Sequence, residues 1–293
     1  MELTILTPTY NRGYILNRLY ESLLNQKNQN FEWLIIDDGS NDDTSRVVEA
    51  FIKDEKLKIR YIKQNNGGKH RALNTGIKNI ETELVFIVDS DDYLLPDAIS
   101  EVLKLHQVYA KDNNVCGYSF LRCFPDLQIN GPQFKSSPYL SDYVTCRMNE
   151  GIDGDKAEVY KTDILKKYPF LEVPNENFLF EDYVWIQMAN SYKTVHVNIP
   201  IYVGDYLEDG LTKNIDKKKV SNPIGMIERA NIIGKSNANL TLKIKAMVMV
   251  IVYGLVAKLS FFRILNKSFN KFLCILLYVP SQLYFKFKVE GER

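Results

Sequence analysis

Three aspartates follow a short apolar run in the sequence VFIVDSDD at residues 85–92, and their chemistry is the clearest in the chain. If the apolar run is a strand, Asp89, Asp91 and Asp92 emerge together at its carboxyl end. Hard oxygen ligands on a short turn suit Mg²⁺ or Mn²⁺, which proteins bind through one or two carboxylates plus substrate phosphates. Acidic residues also fill turns and begin helices, so the place of these aspartates after a strand carries the argument. The segment predicts a metal site that a diphosphate would complete.

Two further polar segments occupy the same kind of position. The sequence PTYN at residues 8–11 follows an apolar run at residues 3–7, and DDGS at residues 37–40 follows another at residues 32–36. The glycine of the second segment permits a tight turn, and the neighbouring carboxylates can accept hydrogen bonds from a base or a ribose. Ligands of open α/β sheets bind beyond the carboxyl ends of the strands. We therefore expect the three segments to converge on one site.

The elements that must position these segments alternate between strand and helix patterns. Short β-branched apolar runs predict strands at residues 3–7, 32–36, 58–62 and 84–88, and helical spacing predicts helices at residues 15–25 and 44–53. Such alternation is typical of a parallel sheet with crossover helices. Further along, we predict a helix at residues 182–191, a strand at 194–199 and a polar loop at 205–219. The fold class is α/β.

Glu181 and Asp182 stand at the start of the predicted helix 182–191. A helix N-terminus holds a carboxylate in its ionised form, because the backbone N–H groups favour negative charge there. On spacing alone, an acid in the first turn of a helix is the simplest interpretation of this pair.

Composition excludes several classes of protein. The 293 residues are 45% hydrophobic and 25% charged, with a net charge of +1, which is the balance of a folded protein and not that of a broad nucleic-acid binder. Four scattered cysteines form no CxxC pair, so neither a zinc site nor a disulfide framework is indicated. The beginning of the chain has no basic segment followed by a long apolar run, which predicts that the catalytic part stays in the cytoplasm.

In five ordered segments the sequence resembles the family 2 glycosyltransferases of the GT-A fold, inverting enzymes that include those of bacterial cell-surface polysaccharide synthesis. The segments are TPTYNR at 7–12, WLIIDDGSNDDT at 33–44, NNGGKHRALNTGI at 65–77, VFIVDSDD at 85–92 and FEDYVW at 180–185. Together they cover roughly the first 190 residues, and their order and spacing are far more specific than any one string. The resemblance implies a Rossmann-like mixed sheet flanked by helices, with a helical C-terminal extension.

The resemblance also implies a role for each matching residue. Pro8, Tyr10 and Asn11 would line the nucleobase pocket and Asp38 would contact uracil. Asp89 and Ser90 would lie at the donor, Asp91 with Asp89 would hold Mn²⁺ or Mg²⁺, and Lys69 and Arg71 would lie near the phosphates. Asp182 would be the base that removes the acceptor proton, with Glu181 binding or orienting the acceptor. These are the donor, metal and base residues that we predict: Pro8, Tyr10, Asn11, Asp38, Lys69, Arg71, Asp89, Ser90, Asp91, Glu181 and Asp182.

The implied reaction moves one sugar from a nucleotide diphosphate donor, a UDP-hexose or UDP-N-acetylhexosamine, to a glycan or lipid-linked saccharide, as in capsule synthesis. The Q-x-x-R-W motif of the processive synthases is absent after residue 182, so iterative chain synthesis is not expected. The polar loop at 205–212 is a candidate lid. Two alternatives stay open: a noncatalytic membrane-associated scaffold with this fold, and a nucleotidyltransferase, which would normally have a Gly-rich phosphate loop near the N-terminus.

The C-terminal part differs from the rest in charge. Residues 240–293 hold nine Lys or Arg against two Glu, beside uncharged stretches at 246–257 and 272–285 that are shorter than the roughly 20 residues of a membrane span. Basic residues next to apolar ones suit helices that lie on an anionic membrane surface. We predict a catalytic domain at 1–225, with a nucleotide-sugar half at 1–112 and an acceptor half at 113–225, and a helical extension at 226–293. We expect peripheral attachment to the inner face of the cell membrane, while packing on the catalytic domain or homo-oligomer formation is the alternative.

Overall fold

The first strand of the chain has seven buried residues and is paired with a parallel strand on each side. The computed structural model describes residues 1–204 and 214–290. The strands of this part are β1 (Leu3–Thr9), β2 (Phe31–Asp37), β3 (Ile59–Lys63), β4 (Leu84–Ile87), β5 (Tyr93–Leu94), β6 (Val115–Cys123), β7 (Tyr139–Ser141), β8 (Lys156–Lys161) and β9 (Lys193–Val203). They form one mixed sheet in the order β3-β2-β1-β4-β8-β6-β9-β5, with β7 paired to β9.

The predicted strands of the first hundred residues are all present, within two residues of their expected ends. β1 pairs in parallel with both β2 and β4, and β2 pairs in parallel with β3. The carboxyl ends of these strands therefore lie at one edge of the sheet, as the sequence pattern requires. β8 runs antiparallel to β4 and β6, so its beginning lies at that same edge.

Helices cover both faces of the sheet and make up the C-terminal part of the chain. The α-helices are α1 (Leu16–Leu24), α2 (Thr44–Lys53), α3 (Lys69–Lys78), α4 (Ala98–Tyr109), α5 (Thr162–Leu165), α6 (Asp182–Met188), α7 (Ile215–Ser221), α8 (Pro223–Lys235), α9 (Leu240–Val256), α10 (Phe261–Lys267) and α11 (Lys271–Tyr284). Two π-helical segments, Val144–Asn149 and Phe285–Glu290, complete the described helices.

The prediction of a polar loop at 205–219 is wrong for its last residues, because α7 begins at Ile215 and continues to Ser221. An ion pair of 2.8 Å between Asp216 and Lys219, three residues apart, supports this helix. The candidate lid at 205–212 lies outside the described residues.

Each face of the sheet has its own core. One core packs α1, α2 and α4 against residues such as Trp33 and Phe86, and the other packs α3 and α6 against Tyr160. Trp185 of α6 stacks on Tyr160 with ring centroids 4.3 Å apart, so both tryptophans of the chain serve packing. The second core anchors α3 and α6, the two helices whose beginnings carry predicted site residues.

The C-terminal helices share a third core with the catalytic part. Buried residues of α8 and α9, such as Ile227 and Val250, pack together with Val144 and Ile186. The predicted domain boundary at 225–226 falls inside α8, so the nearest boundary between elements is the start of that helix at Pro223. The division into domains stays a prediction. Within residues 1–204 and 214–290, no helix has both the length and the apolar character that crossing a membrane requires.

Candidate active site

Asp38, directly after β2, organises the turn that precedes α3. Its carboxylate accepts hydrogen bonds from the backbone N–H groups of Gly67 (3.0 Å) and Gly68 (2.7 Å) and from the side chain of Gln64 (2.7 Å). The side chain is buried. Several donors on one carboxylate fix both the acid and the turn that supplies them. Contact of Asp38 with uracil stays a prediction, but its role in shaping the turn is visible in the fold.

The turn at Gly67 and Gly68 fits closely against the loop that leads into α6. Gly68 has a φ of +96°, and a Cβ atom there would lie 1.9 Å from the carbonyl oxygen of Asn177. A side chain at this position would require both a strained backbone and displacement of that loop. The glycine therefore allows the beginnings of α3 and α6 to approach each other.

Lys69, the first residue of α3, uses this approach to join two carboxylates. Its Nζ atom lies 2.5 Å from Oδ1 of Asp89 and 2.6 Å from Oε1 of Glu181. Burial alone would lower the pKa of Lys69, but the two carboxylates outweigh it and raise that pKa well above its usual value. Lys69 is thus a permanent cation between the end of β4 and the beginning of α6.

The three aspartates after β4 crowd negative charge into a partly buried turn. Burial would raise the pKa of Asp89, but the charges of Lys69 and Arg122 lower it. Burial, followed by the charge of Asp89, raises the pKa of Asp91 and raises that of Asp92 to about 7. Because burial, and after it the charge of Asp89, disfavours ionisation of these carboxyl groups, a nearby cation would stabilise their ionised form.

Asp89 and Asp91 therefore fit a divalent cation, and Asp92 does not. The side chains of Asp89 and Asp91 are about a quarter exposed, at 25% and 24%. Asp92 is buried and accepts a 2.7 Å hydrogen bond from the hydroxyl of Tyr202. Among the residues described, no three His, Cys, Asp or Glu side chains are grouped to hold a metal by themselves. Two accessible carboxylates leave coordination positions for phosphate oxygens, which is the usual way in which Mg²⁺ is held.

The residues after β1 shape an adjoining polar cleft. Asn11 donates its backbone N–H to Oγ of Ser40 (2.9 Å), and its side-chain oxygen accepts from the N–H of Asn41 (2.8 Å). Ser40 and Asn41 line a cleft of about 560 Å³ together with residues 63–66. Tyr10 is 44% exposed next to this region. Pro8 belongs to β1, and the lining of this cleft does not include Pro8, Tyr10, Asn11 or Asp38, so their contact with a nucleobase stays a prediction.

Two predicted donor residues, Arg71 and Ser90, make contacts or have burial that the sequence did not predict. Arg71 points to the loop before α6, where its guanidinium donates to the carbonyl oxygens of Val173 (2.8 Å) and Glu176 (3.4 Å). Arg71 is the third residue of α3, and its place near the phosphates stays a prediction. Ser90 is buried in the aspartate turn, and its contact with the donor stays a prediction.

Asp182 is held by a cation that the sequence reasoning missed. Arg229 of α8 donates from Nε to Oδ1 (2.6 Å) and from Nη2 to Oδ2 of this carboxylate. The guanidinium also lies 4.8 Å from the ring centroid of Phe180. Arg229 occupies the same face of α8 as the buried Met226, Ala230 and Ile233. The sequence therefore contained one signal: an arginine stands where the helical pattern places buried apolar residues. A buried arginine needs an acidic partner.

Arg122 and Tyr202 were also missed, and both act on the aspartate turn. The hydroxyl of Tyr202 accepts from the backbone N–H of Asp89 (2.9 Å) and donates to Asp92. Arg122 stacks on the ring of Tyr202 at 3.9 Å and lies 3.5 Å from Asp92. β6 and β9 supply these side chains, so the turn is supported from a distant part of the sheet.

Comparison with known proteins relates this arrangement to one family. The sequence profile described as Glycosyl transferase family 2 matches residues 4–167. The chain is 27% identical over 246 residues to the GalNAc(5)-diNAcBac-PP-undecaprenol beta-1,3-glucosyltransferase of Campylobacter jejuni, covering 79% of this chain and 74% of that protein. It is 34% identical over 114 residues to glycosyltransferase GlyG of Streptococcus pneumoniae, covering 39% of this chain and 37% of the relative. An uncharacterized glycosyltransferase of Rickettsia felis, 39% identical over 113 residues, is matched over 39% of this chain and 18% of its own length. The chain thus spans well under half the length of these last two relatives.

Two solved structures show the same fold. TarS 1–349 of Staphylococcus aureus in complex with UDP-GlcNAc superposes with a TM-score of 0.64 at 17% identity, covering 98% of this chain and 92% of that one. A mannosyltransferase of Pyrobaculum calidifontis in complex with GDP-Man and Mn²⁺ gives 0.57 at 14% identity, covering 97% and 83%. At such identities the likeness concerns the fold, and it confirms the predicted fold class.

Proposed function

This chain belongs to the family 2 glycosyltransferases, and we propose that it moves one sugar from a UDP-hexose or UDP-N-acetylhexosamine to a glycan or lipid-linked saccharide, with inversion and with the help of Mn²⁺ or Mg²⁺. The observation that carries the proposal is the pair of contacts made by Lys69, whose Nζ atom joins Asp89, two residues before Asp91, to Glu181, which precedes Asp182. It joins a site for a metal diphosphate to a carboxylate that can accept a proton. A noncatalytic protein with this fold would not require both a metal-diphosphate site and a carboxylate that accepts a proton.

The donor half of the mechanism rests on the strand ends. Pro8, Tyr10 and Asn11 contact the nucleobase, and Asp89 and Asp91 face the diphosphate. A bound divalent cation would neutralise the charge that grows on the departing nucleotide. Lys69 adds a fixed positive charge beside the same phosphates, and its ion pairs hold the side chains of Asp89 and Glu181 in place.

The acceptor half rests on the beginning of α6. The acceptor oxygen forms its bond to the anomeric carbon while the bond from that carbon to the β-phosphate oxygen of UDP breaks. The acceptor proton passes to the carboxylate of Asp182, and UDP leaves with the electron pair of the broken bond. Because attack and departure occur on opposite faces, the configuration at the anomeric carbon inverts. General-base assistance of this kind contributes typically about 10²–10⁴-fold to a rate.

Several observations favour an acceptor at a membrane surface. Eight large apolar side chains between residues 262 and 287 are exposed, among them Phe262, Phe272 and Leu276. Lys258, Arg263, Lys267 and Lys271 accompany them. Apolar side chains with a basic surround fit the interface of an anionic bilayer. We propose that α10 and α11 hold the enzyme at the inner face of the cell membrane, where a lipid-linked saccharide would be presented. The proposed contact is narrower than residues 240–293, because α9 packs on α8.

A donor screen tests the proposal. UDP-glucose, UDP-galactose, UDP-N-acetylglucosamine, GDP-mannose and a dTDP-sugar are each titrated with Mn²⁺ and with chelator, and release of the nucleoside diphosphate is followed. Metal-dependent, UDP-selective binding with UDP release is the expected result. Binding without turnover of any donor would favour the noncatalytic scaffold, and failure to bind any nucleotide would contradict the proposed donor site.

A further inference from the structure

We propose that Arg229 is a positioning residue for sugar transfer, which holds the carboxylate of Asp182 in the orientation that receives the acceptor proton. The inference rests on the proposed role of Asp182 as base. It assigns a function in the reaction to a residue of the C-terminal helices, outside the part of the chain that the family profile matches.

Arg229 and Asp182 form a bidentate ion pair. Nε and Nη2 of Arg229 engage the two oxygens of Asp182, and the two side chains are only 16% and 18% exposed. A planar guanidinium that meets a carboxylate through two bonds sets the plane of the carboxylate as well as its position. A carboxylate has about four lone-pair sites, so two remain for the acceptor hydroxyl.

Arg229 has its own support, independent of Asp182. The backbone N–H groups of Ile224 and Gly225, at the start of α8, donate to the carboxylate of Glu176 at 2.7 Å each. Asn222, just before α8, accepts from the N–H groups of Asn177 and Phe178 at 2.7 and 3.0 Å. The start of α8 is therefore joined to the loop that runs into α6. Arg229 is presented to Asp182 by a framework that would persist without their ion pair.

Within residues 1–204 and 214–290, Arg229 is the cation that pairs directly with Asp182. Tyr143 lies near both Asp182 and Arg229, and it contributes a neutral phenol since burial raises its pKa far above the usual value. Glu181 is engaged by Lys69. Without Arg229 the carboxylate of Asp182 would be free to rotate beside a second acid. Misplacement of a reacting group by about 1 Å can cost on the order of 10²-fold in rate.

The test is a double-mutant cycle in turnover. Arg229→Met, Asp182→Asn and the double variant are compared with the wild type in UDP release from the best donor of the screen, with Mn²⁺ and with water as acceptor when no saccharide is added. Glu228→Gln is the matched control, because Glu228 adjoins Arg229 in α8 and pairs with Lys267 at 3.4 Å on the surface. Arg229→Lys keeps the positive charge but loses the bidentate contact with Asp182.

We expect Arg229→Met to lower kcat about 100-fold with the KM for the donor within about twofold, which is the signature of a group that acts in the transition state. Arg229→Met should then cost less than about threefold in the Asp182→Asn background, since Arg229 acts through Asp182. Arg229→Lys should recover part of the loss, and Glu228→Gln should resemble the wild type.

Two results would overturn the inference. One is an Arg229→Met variant that melts at a lower temperature but turns over at the wild-type kcat below that temperature, because Arg229 would then serve stability alone. The other is a pair of losses that multiply in the double variant. If Asp182→Asn by itself keeps full activity, the proposed base is wrong, and this outcome is distinct from a failure of Arg229 alone.

Discussion

The proposed donor side of the site, formed by the turns after β1, β2 and β4, and the proposed acceptor side, formed by the beginning of α6, are built from different kinds of contact. On the donor side, each polar segment directly follows a strand, and parallel pairing of β1 with β2 and β4 brings the segments together. On the acceptor side, Asp182 obtains its partner from a helix 47 residues later. The donor side thus follows from local order in the sequence, whereas the acceptor side exists only once the C-terminal helices have packed.

Lys69 is where the two sides meet. It pairs with Asp89 of the donor side and with Glu181 of the acceptor side. The comparison implies that carboxylates on the two sides fail in different ways when altered. Donor-side changes should weaken binding of the metal nucleotide, and acceptor-side changes should remove transfer with binding intact.

The largest effect is expected from Asp182→Asn. Loss of the base should lower kcat by about 10²–10⁴-fold, the usual range for general-base catalysis. The affinity for UDP with Mn²⁺ should remain, because Asp182 lies on the acceptor side. Stopped assays of UDP release and calorimetric titration with UDP measure the two quantities. Asp163→Asn is the control, since Asp163 also stands in the first turn of a helix but in α5.

If Asp182→Asn weakens UDP binding as strongly as it lowers kcat, the division into two sides is wrong.

Asp91→Asn should give the opposite pattern at a smaller magnitude. Removing one carboxylate of the proposed metal pair should weaken donor binding in Mn²⁺ by at least about tenfold, which corresponds to about 1.4 kcal/mol. With chelator the variant and the wild type should bind alike. Asp97→Asn is a suitable control, because Asp97 lies in the same segment and pairs with Lys27 on the surface at 2.9 Å. Equal loss with and without metal would contradict a ligand role for Asp91.

Gly68→Ala tests the contact between the two sides. The new Cβ would lie 1.9 Å from the carbonyl oxygen of Asn177, at a φ of +96°. Strain of this kind costs about 1–3 kcal/mol of stability. Displacement of Lys69 should also reduce turnover by about tenfold. This is less than the roughly 100-fold loss in rate that a 1 Å misplacement of a reacting group can cause.

Urea unfolding and UDP release measure these effects, and Gly67→Ala provides the comparison. There the nearest atom to a new Cβ is the flexible Cδ of Arg71 at 2.6 Å, which can move aside. Equal behaviour of the two variants would show that close packing at Gly68 does not position Lys69.

The contrast between the donor side and the acceptor side explains which parts of the site could be predicted from the sequence. Apolar runs followed by Asp38 or Asp89 indicate strands and a strand-end site, because each strand and its polar residues are neighbours in the chain. Arg122, Tyr202 and Arg229 act on the site across distant pairs of elements, and no local spacing links them to it. The contacts of Arg71 with the carbonyl groups of Val173 and Glu176 could not be predicted for the same reason, since these partners lie 102 and 105 residues away in the sequence.

The smallest effect on UDP release is expected from substitutions on the exposed face of α11. Phe272, Leu276 and Val279 are 77%, 61% and 62% exposed. Their joint replacement by serine should leave UDP release in solution unchanged and should abolish sedimentation with phosphatidylglycerol vesicles. The reason is that apolar burial contributes about 25 cal/mol per Å² and would be lost at the bilayer alone. Deleting residues 240–293 is a poorer test, because it would also remove Met247 and Val250 from the third core.

Val108→Ser is the control for this face, because Val108 is 70% exposed on α4 and belongs to the catalytic part. Vesicles of neutral phosphatidylcholine distinguish the basic contribution from the apolar one, since only anionic lipid attracts the lysines and arginine of residues 258–271. A wild-type protein that ignores both vesicles but is dimeric in light scattering, with a monomeric triple variant, would assign the face to a second copy of the chain. In that case the donor side, the acceptor side and their junction at Lys69 would stand, and the route by which a lipid-linked acceptor reaches Asp182 would have to be sought elsewhere on the surface.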